Sequence, residues 1–229
     1  MASSMRILFN GRVLGIFMLW LLLNGSFSFA VESDINCLKS IKASLEDPSD
    51  ILSFSWDFSN ATEGFICSFL GIECWHPFEN RVLNIKLADL GLKGQFPRGV
   101  ANCTSLTGLD LSSNNLSGSI PVDVDHLIPY ITSLDLSSNS FSGQIPTNIS
   151  NCTFLNVLKL DHNKFSGQIP PQLGQLSRIK TFNVTNNRLS GPVPNFTSTN
   201  NTIGPDSYAN NPGLCGFSGK ICKKGKMTN

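Results

Sequence analysis

Seven cysteines and three histidines are the residues of this 229-residue chain suited to redox, metal or acid–base chemistry. The cysteines stand at 37, 67, 74, 103, 152, 215 and 222. Two pairs share one spacing, Cys67-x6-Cys74 and Cys215-x6-Cys222, which suits short disulfide loops worth roughly 2–3 kcal/mol each. Zinc sites favour a C-x2–4-C spacing, so the pattern predicts no metal. Asp161-His162 invites an acid–base reading, yet no nucleophile or second base recurs beside it, and His76 and His126 lie in other segments. The expected chemistry is disulfide formation and recognition, with no catalysis and no cofactor.

Disulfides require an oxidising compartment, and the amino terminus supplies the route to one. Arg6 and Arg12 precede an uninterrupted apolar run at residues 13–23, which ends in the small-residue stretch Ser28-Phe29-Ala30. The run is too short for the ~20 residues of a membrane span, so residues 1–30 read as a cleaved secretory signal. No second apolar stretch follows, and the mature chain is expected to be secreted, soluble and monomeric, without direct membrane insertion. Only 14% of residues are charged and the two signs nearly balance. That composition argues against a nucleic-acid binder.

Those cysteine pairs bracket an internal repeat. The pattern L-x-x-L-x-L-x-x-N-x-L-x-G-x-I-P starts at Val82, Leu106, Ile131, Leu155 and Ile179, with spacings of 24, 25, 24 and 24 residues. The period and motif define a leucine-rich-repeat solenoid, an α/β repeat with a parallel sheet on its concave face and disulfide-closed caps at both ends. The L-x-L alternation makes a short strand in which Leu109 and Leu111 face inward and Asp110 outward. Asn114, Asn139, Asn163 and Asn187 sit where each strand turns away, placed to bond backbone groups of adjacent turns in a ladder. Gly94, Gly118, Gly143, Gly167 and Gly191 permit a tight bend, and the following Pro fixes φ on the convex side.

The predicted organisation is signal 1–30, amino-terminal cap 31–81, five repeats 82–202, carboxy-terminal cap 203–222 and tail 223–229. In the first cap Asp34 is expected to start a helix with the apolar face Cys37, Leu38, Ile41 and Leu45, stopped by Asp47-Pro48. Trp56, Phe65, Cys67, Ile72, Cys74 and Trp75 are expected to pack over the first repeat. A hairpin of 72–75 with 81–83 should cover that edge. Cys103 and Cys152 replace a core Leu in repeats one and three, about 10 Å apart at roughly 4.8 Å per strand, and are expected to stay reduced. Cys37 is then the odd thiol, either facing the helix core or competing for Cys67; the buried thiol is the expectation.

The repeat with L-S-G-x-I-P, the cap L-x-x-W…C-x6-C-W and the ending N-N-P-G-L-C-G resemble the extracellular domain of plant receptor-like kinases over residues 34–222. INCLKSIKASLEDPS, ICSFLGIECWHPFENRVLNIKL and SLTGLDLSSNNLSGSIP are most similar to five-repeat receptor-like pseudokinases that bind somatic-embryogenesis co-receptor kinases and restrain immune and growth signalling. The resemblance implies an extracellular interaction module whose partner is a co-receptor kinase ectodomain. Such relatives continue into a membrane span and a kinase-like domain, whereas this chain stops at Asn229; a truncated receptor is the reading this leaves open. A secreted inhibitor of wall-degrading enzymes, of the polygalacturonase-inhibitor type, is the alternative. Those have more repeats and an adjacent Cys-Cys in the first cap, which this chain lacks.

A solenoid of this kind binds through the outward positions of its concave strands, so Lys86, Asp110, Ser112, Asp135, Ser137, Lys159 and Asp161 are the expected partner-binding residues. The row is polar, of mixed sign and poor in aromatics. Sequons occur at Asn60, Asn102, Asn115, Asn148, Asn151, Asn183, Asn195 and Asn200, a density that suits an extracellular glycoprotein. Asn148 and Asn151 are too close for both to be filled. A glycan on Asn183 would confine binding to repeats one to four, and reversing convex charges such as Asp123 and Asp125 should do little.

Overall fold

The computed structural model describes residues 32–222 except 60–61, 63, 197–202 and 218–219. The signal sequence, the sequons Asn60 and Asn200 and the 223–229 tail lie outside the described residues. The polypeptide opens with helix α1 (residues 32–44), strand β1 (Leu45–Glu46) and helix α2 (Ile51–Ser55). The first helix ends at Ser44, three residues before the expected stop, and Asp47 instead starts the second: its Oδ2 accepts the Leu52 and Ser53 N–H groups at 2.7 and 3.1 Å. Strand β2 (Ile72–Cys74) then pairs antiparallel with β3 (Val82–Lys86), forming the hairpin that covers the first repeat.

From β3 each repeat contributes two strands, one before and one after the asparagine position, which is Leu90 in the first repeat. These are β4 (Lys93–Gly94), β5 (Gly108–Asp110), β6 (Asn115–Gly118), β7 (Ser133–Asp135), β8 (Ser140–Gly143), β9 (Val157–Lys159), β10 (Lys164–Gln168), β11 (Thr181–Asn183) and β12 (Arg188–Pro192), followed by β13 (Gly213–Cys215) in the carboxy-terminal cap. The concave sheet has the order β11-β9-β7-β5-β3-β2, and a second sheet runs β1-β4-β6-β8-β10-β12-β13. Register follows the repeat. Lys86 pairs Asp110, Asp110 pairs Asp135, Asp135 pairs Lys159 and Lys159 pairs Asn183.

The alternating Leu residues form one continuous core between the sheets. Leu109, Leu111, Leu134, Leu136, Leu158 and Leu160 are all buried, each worth about 1.5–3 kcal/mol of removal from water. Phe141 and Phe165 stack in the same column at 6.3 Å. The bends between strands use left-handed backbone. Gly167 has φ +77°, and a Cβ there would approach the Gln144 side chain to 3.1 Å.

The asparagines bind these layers together. Asn163 donates from Nδ2 to the carbonyls of Leu136, Leu160 and Asp161 and accepts the Phe141 N–H on Oδ1. Asn114, Asn139 and Asn187 repeat the arrangement. Asn211 of the N-N-P-G-L-C ending adds another rung, with Oδ1 on the Leu189 N–H and Nδ2 on the Val184 carbonyl. The cap is therefore a truncated repeat.

Cys67–Cys74 and Cys215–Cys222 are bridged with Cα separations of 5.6 and 5.0 Å. The expectation for Cys37 and Cys103 is corrected: they form a third disulfide, Cα–Cα 5.4 Å. Cys103 ends the first repeat, so its neighbour toward the terminus is α1, whereas Cys152 is flanked by repeats on both sides. Cys152 is a buried thiol, and burial pushes its pKa up to about 12.

Asp34 also differs from its expected role. It lies inside α1, fully buried, and its Oδ1 accepts the Val82 N–H at 3.2 Å. It ties the helix to the first repeat rather than capping the helix. Burial raises its pKa to about 6, against the opposing effects of the Val82 bond and Arg81.

Two outcomes follow. Non-reducing peptide mapping should recover 37–103, 67–74 and 215–222 with Cys152 unbridged; a 103–152 bridge would contradict this register. Replacing Cys37 and Cys103 by Ser should cost about 4 kcal/mol in denaturant unfolding, given the long loop they close, against about 1 kcal/mol for Cys152→Ser. For Asp34, a folded-state pKa above the unfolded one means its contribution is complete below about pH 4 and is lost as pH rises through 6. Asp34→Asn should therefore gain on the order of 2 kcal/mol relative to the parent between pH 4 and 7.5. A pH-independent difference would refute the burial argument.

Candidate interaction surface

The expected concave residues fall into two cross-strand rows. Lys86, Asp110, Asp135 and Lys159 share one register, and Ser112, Ser137 and Asp161 occupy the next outward position along their segments. Most polar groups of the rows are paired within them, but Asp161 Oδ1 is buried without a hydrogen-bond partner among the described residues. Asp110 accepts the Ser112 N–H and hydroxyl at 2.9 and 2.6 Å, and Asp135 does the same with Ser137 at 3.0 and 2.6 Å. Lys159 pairs with Asp135 at 3.1 Å, which raises the lysine pKa. Lys86 pairs with Glu73 of the cap hairpin, and that bond holds the Glu73 carboxyl below its usual range. Asp161 Oδ2 meets His162 Nδ1 at 2.9 Å. Asp135 and Asp161 are nearly buried, each 9% exposed, so less of their surface faces solvent than the outward strand position implies. Asn183 closes the row beyond Lys159.

A second surface lies beside the concave strands and was not anticipated. The residue directly preceding the first Leu-type position of each repeat is Arg81, Ser105, Tyr130, Phe154 and Arg178 in turn. Stacking of the repeats makes these five a column on one flank. Trp75 joins it from the cap hairpin, donating from Nε1 to the Ser105 carbonyl at 3.2 Å. The Arg81 guanidinium lies 5.4 Å from the Trp75 ring centroid, and its Nε donates to Ser105 Oγ at 2.8 Å. Tyr130 and Phe154 rings are 6.2 Å apart, and Arg178 lies 5.2 Å from the Phe154 centroid. Trp75 is 45%, Tyr130 54% and Phe154 38% exposed.

Between them is a depression of about 580 Å³ lined by Trp75, Arg81, Ser105, Thr107, Tyr130, Thr132 and Phe154. The guanidiniums are pre-positioned by stacking, so less side-chain freedom is lost when a partner covers them. Trp75, expected to pack over the first repeat, reaches across it to Ser105 and stays 45% exposed. The signal that finds the column is a reading down one position across repeats, including the extra residue that makes the second repeat one longer and supplies Tyr130.

The described sequon asparagines differ in exposure. Asn102, Asn115, Asn151 and Asn195 are exposed, whereas Asn148 and Asn183 are half-buried. Asn148 and Asn151 both direct Nδ2 at Asp125, at 3.5 and 2.8 Å. No sequon asparagine stands in the aromatic column. On the convex side Arg98 grips Asp123 with two bonds of 2.9 and 2.6 Å. Among the described residues no helix is long and apolar enough to cross a membrane, and no group of three or more His, Cys, Asp or Glu is arranged to hold a metal.

A capped parallel-strand solenoid with an exposed aromatic and arginine flank defines a leucine-rich-repeat binding domain. The family model for the leucine-rich repeat N-terminal domain matches residues 31–75, and that for the leucine-rich repeat matches 105–127, 130–152 and 154–176. A probably inactive leucine-rich-repeat receptor-like protein kinase of Arabidopsis thaliana is 54% identical over 149 residues, 62% of this chain and 24% of the relative. The inactive receptor-like kinase BIR2 of the same plant is 51% identical over 140 residues, 61% of this chain and 23% of the relative. The chain thus spans about a quarter of the length of these curated relatives.

Among solved structures, the BIR2 ectodomain superposes with TM-score 0.77 at 48% identity, covering 80% of this chain and 94% of that one. A chain of the Arabidopsis BIR3–SERK2 complex superposes with TM-score 0.77 at 43% identity, covering 83% and 100%. The chain belongs to the leucine-rich-repeat receptor-like kinase family, as an ectodomain, and stands with the inactive receptors of the BIR2 and BIR3 type.

Proposed function

We propose that this chain is a non-catalytic extracellular module that docks a co-receptor kinase ectodomain and thereby regulates immune or growth signalling at the cell surface. The observation that carries the reading is the flank of Trp75, Tyr130 and Phe154 framed by Arg81 and Arg178. Aromatic residues and arginine are the types that dominate binding energy at protein interfaces, and this flank exposes them together. The concave row of Lys86, Asp110, Ser112, Asp135, Ser137, Lys159 and Asp161 adjoins the depression through Thr107 and Thr132, each directly before a concave strand. It forms the polar margin of the same interface, where internally paired charges set register more than affinity. The match to a chain of the BIR3–SERK2 complex supports an ectodomain partner, and the relatives' designation as inactive kinases supports a role without catalysis.

The test is a titration of the purified chain against a SERK-type ectodomain. Tyr130→Ala and Phe154→Ala should each weaken binding by about 1.5–3 kcal/mol, and Arg178→Ala by about 1–2 kcal/mol. Lys86→Glu and Asp110→Lys should cost less than the aromatic changes, and Asp123→Lys on the convex side less than about 0.5 kcal/mol. Equal losses from the convex and flank variants would show that the interface has been misplaced.

A further inference from the structure

Where the last repeat meets the carboxy-terminal cap, aromatic rings frame a second depression. Val193 follows β12 and donates its N–H to the Cys215 carbonyl of β13 at 3.0 Å. The Phe196 ring lies 5.0 Å from that of Phe182, which is fully buried. Tyr208 lies 6.0 Å from Phe182 and 5.5 Å from Phe217. Val193, Asn195, Phe196, Pro205, Tyr208 and Phe217 line a space of about 430 Å³, within the roughly 300–1,000 Å³ of small-molecule sites. None of its lining residues is charged, so it suits a neutral occupant.

Asn195 is an exposed member of that lining and opens the sequon Asn195-Phe196-Thr197. Its backbone is held in place. A Cβ on Gly174 would stand 2.4 Å from the Asn195 carbonyl oxygen, so this segment rests directly on the turn of the repeat before it. The Phe196 ring anchors the next residue on Phe182. Asn102, Asn115, Asn148, Asn151 and Asn183 line neither this depression nor the one on the aromatic flank.

We propose that Asn195 carries an N-linked glycan whose first N-acetylglucosamine seats in this depression, against Phe196 and Phe217, and completes the carboxy-terminal cap. The inference rests on the extracellular reading, because the donor is a lipid-linked oligosaccharyl diphosphate of the secretory pathway. In the transfer, Asn195 Nδ2 bonds to C1 of the sugar, the C1–O bond to the diphosphate breaks, the amide gives up one proton and the lipid diphosphate leaves. One face of the sugar presents C–H groups, which complement the negative faces of aromatic rings. Its hydroxyls stay in water and give the end of the solenoid the polar outer surface that a terminal repeat needs. A free neutral molecule loses its translational freedom on entering such a site, whereas the tethered sugar is already held at its edge.

The test uses the full chain secreted from plant cells grown with a mannosidase inhibitor. Glycopeptide mass spectrometry should find Asn195 occupied. Thr197→Ala, which removes the sequon and keeps the asparagine, should lower the melting temperature by about 3–6 °C. Endoglycosidase H leaves the first sugar on each site and should change it by less than about 1 °C, as should Asn115→Gln. In a Phe217→Ala background, Thr197→Ala should bring no further loss, because the sugar has lost the ring it rests on. A bare Asn195 beside occupied sequons elsewhere, or an unchanged melting temperature in Thr197→Ala, would overturn the proposal. Glycans at no sequon would reject the extracellular reading along with it.

Discussion

A buried asparagine that hydrogen-bonds two successive turns at once is the constraint on which the rest of this molecule depends. Each one joins the carbonyl of the preceding turn, the carbonyls of its own turn and an N–H of the preceding turn, as Asn163 does with Leu136, Leu160, Asp161 and Phe141. Leaving any of those groups unpaired in the interior would cost about 1–3 kcal/mol. The bonds hold adjacent turns in one register, and any residue at a fixed offset from the asparagine becomes part of a column on the surface. The hydrophobic strands supply most of the free energy, but the ladder decides which side chains stand next to which. Tyr130 shows how much latitude this leaves: its insertion lies between Asn114 and Asn139, away from the rungs, and both rungs form.

The ends of the ladder are closed by different means for one reason, the need to cover a sheet edge. At the amino terminus an antiparallel hairpin, a buried carboxylate on Val82 and the Cys37–Cys103 bridge hold a helix across the first turn. At the carboxy terminus Asn211 extends the ladder by one rung, and a disulfide loop follows. The first arrangement brings Trp75 and Arg81 to the head of the aromatic column, so that cap supplies surface residues as well as stability.

The repeat, its strands, the asparagine rungs, the cap hairpin and the two short disulfide loops are legible in the amino-acid sequence because each rests on local spacing. The Cys37–Cys103 bridge is not, since it depends on where α1 lies across the first repeat. Asp34 was misassigned for the same reason: as a helix-starting type it suggests a cap, and its contact with Val82 spans 48 residues. Lys86, Asp110, Asp135 and Lys159 lie on the concave strands and Ser112, Ser137 and Asp161 just past them, yet the near-burial of Asp135 and Asp161, which bond Ser137 and His162, is not legible from strand alternation. The aromatic column is less legible because its residues stand just before each repeat motif, outside the outward strand positions. Its pattern becomes clear only when the repeats are stacked with the extra residue at 130 accommodated.

The central claim, that one flank of the solenoid and its concave margin receive a co-receptor ectodomain, is tested most directly by hydrogen exchange in the assembled complex. Mass spectrometry of the chain with and without a SERK-type ectodomain should show protection in peptides covering 75–81, 104–107, 130–132, 154–157 and 178–181. Exchange at convex segments 95–102 and 119–126 should be unchanged. Protection confined to the convex segments or to the carboxy-terminal cap, with none at 130–132 and 154–157, would contradict the account.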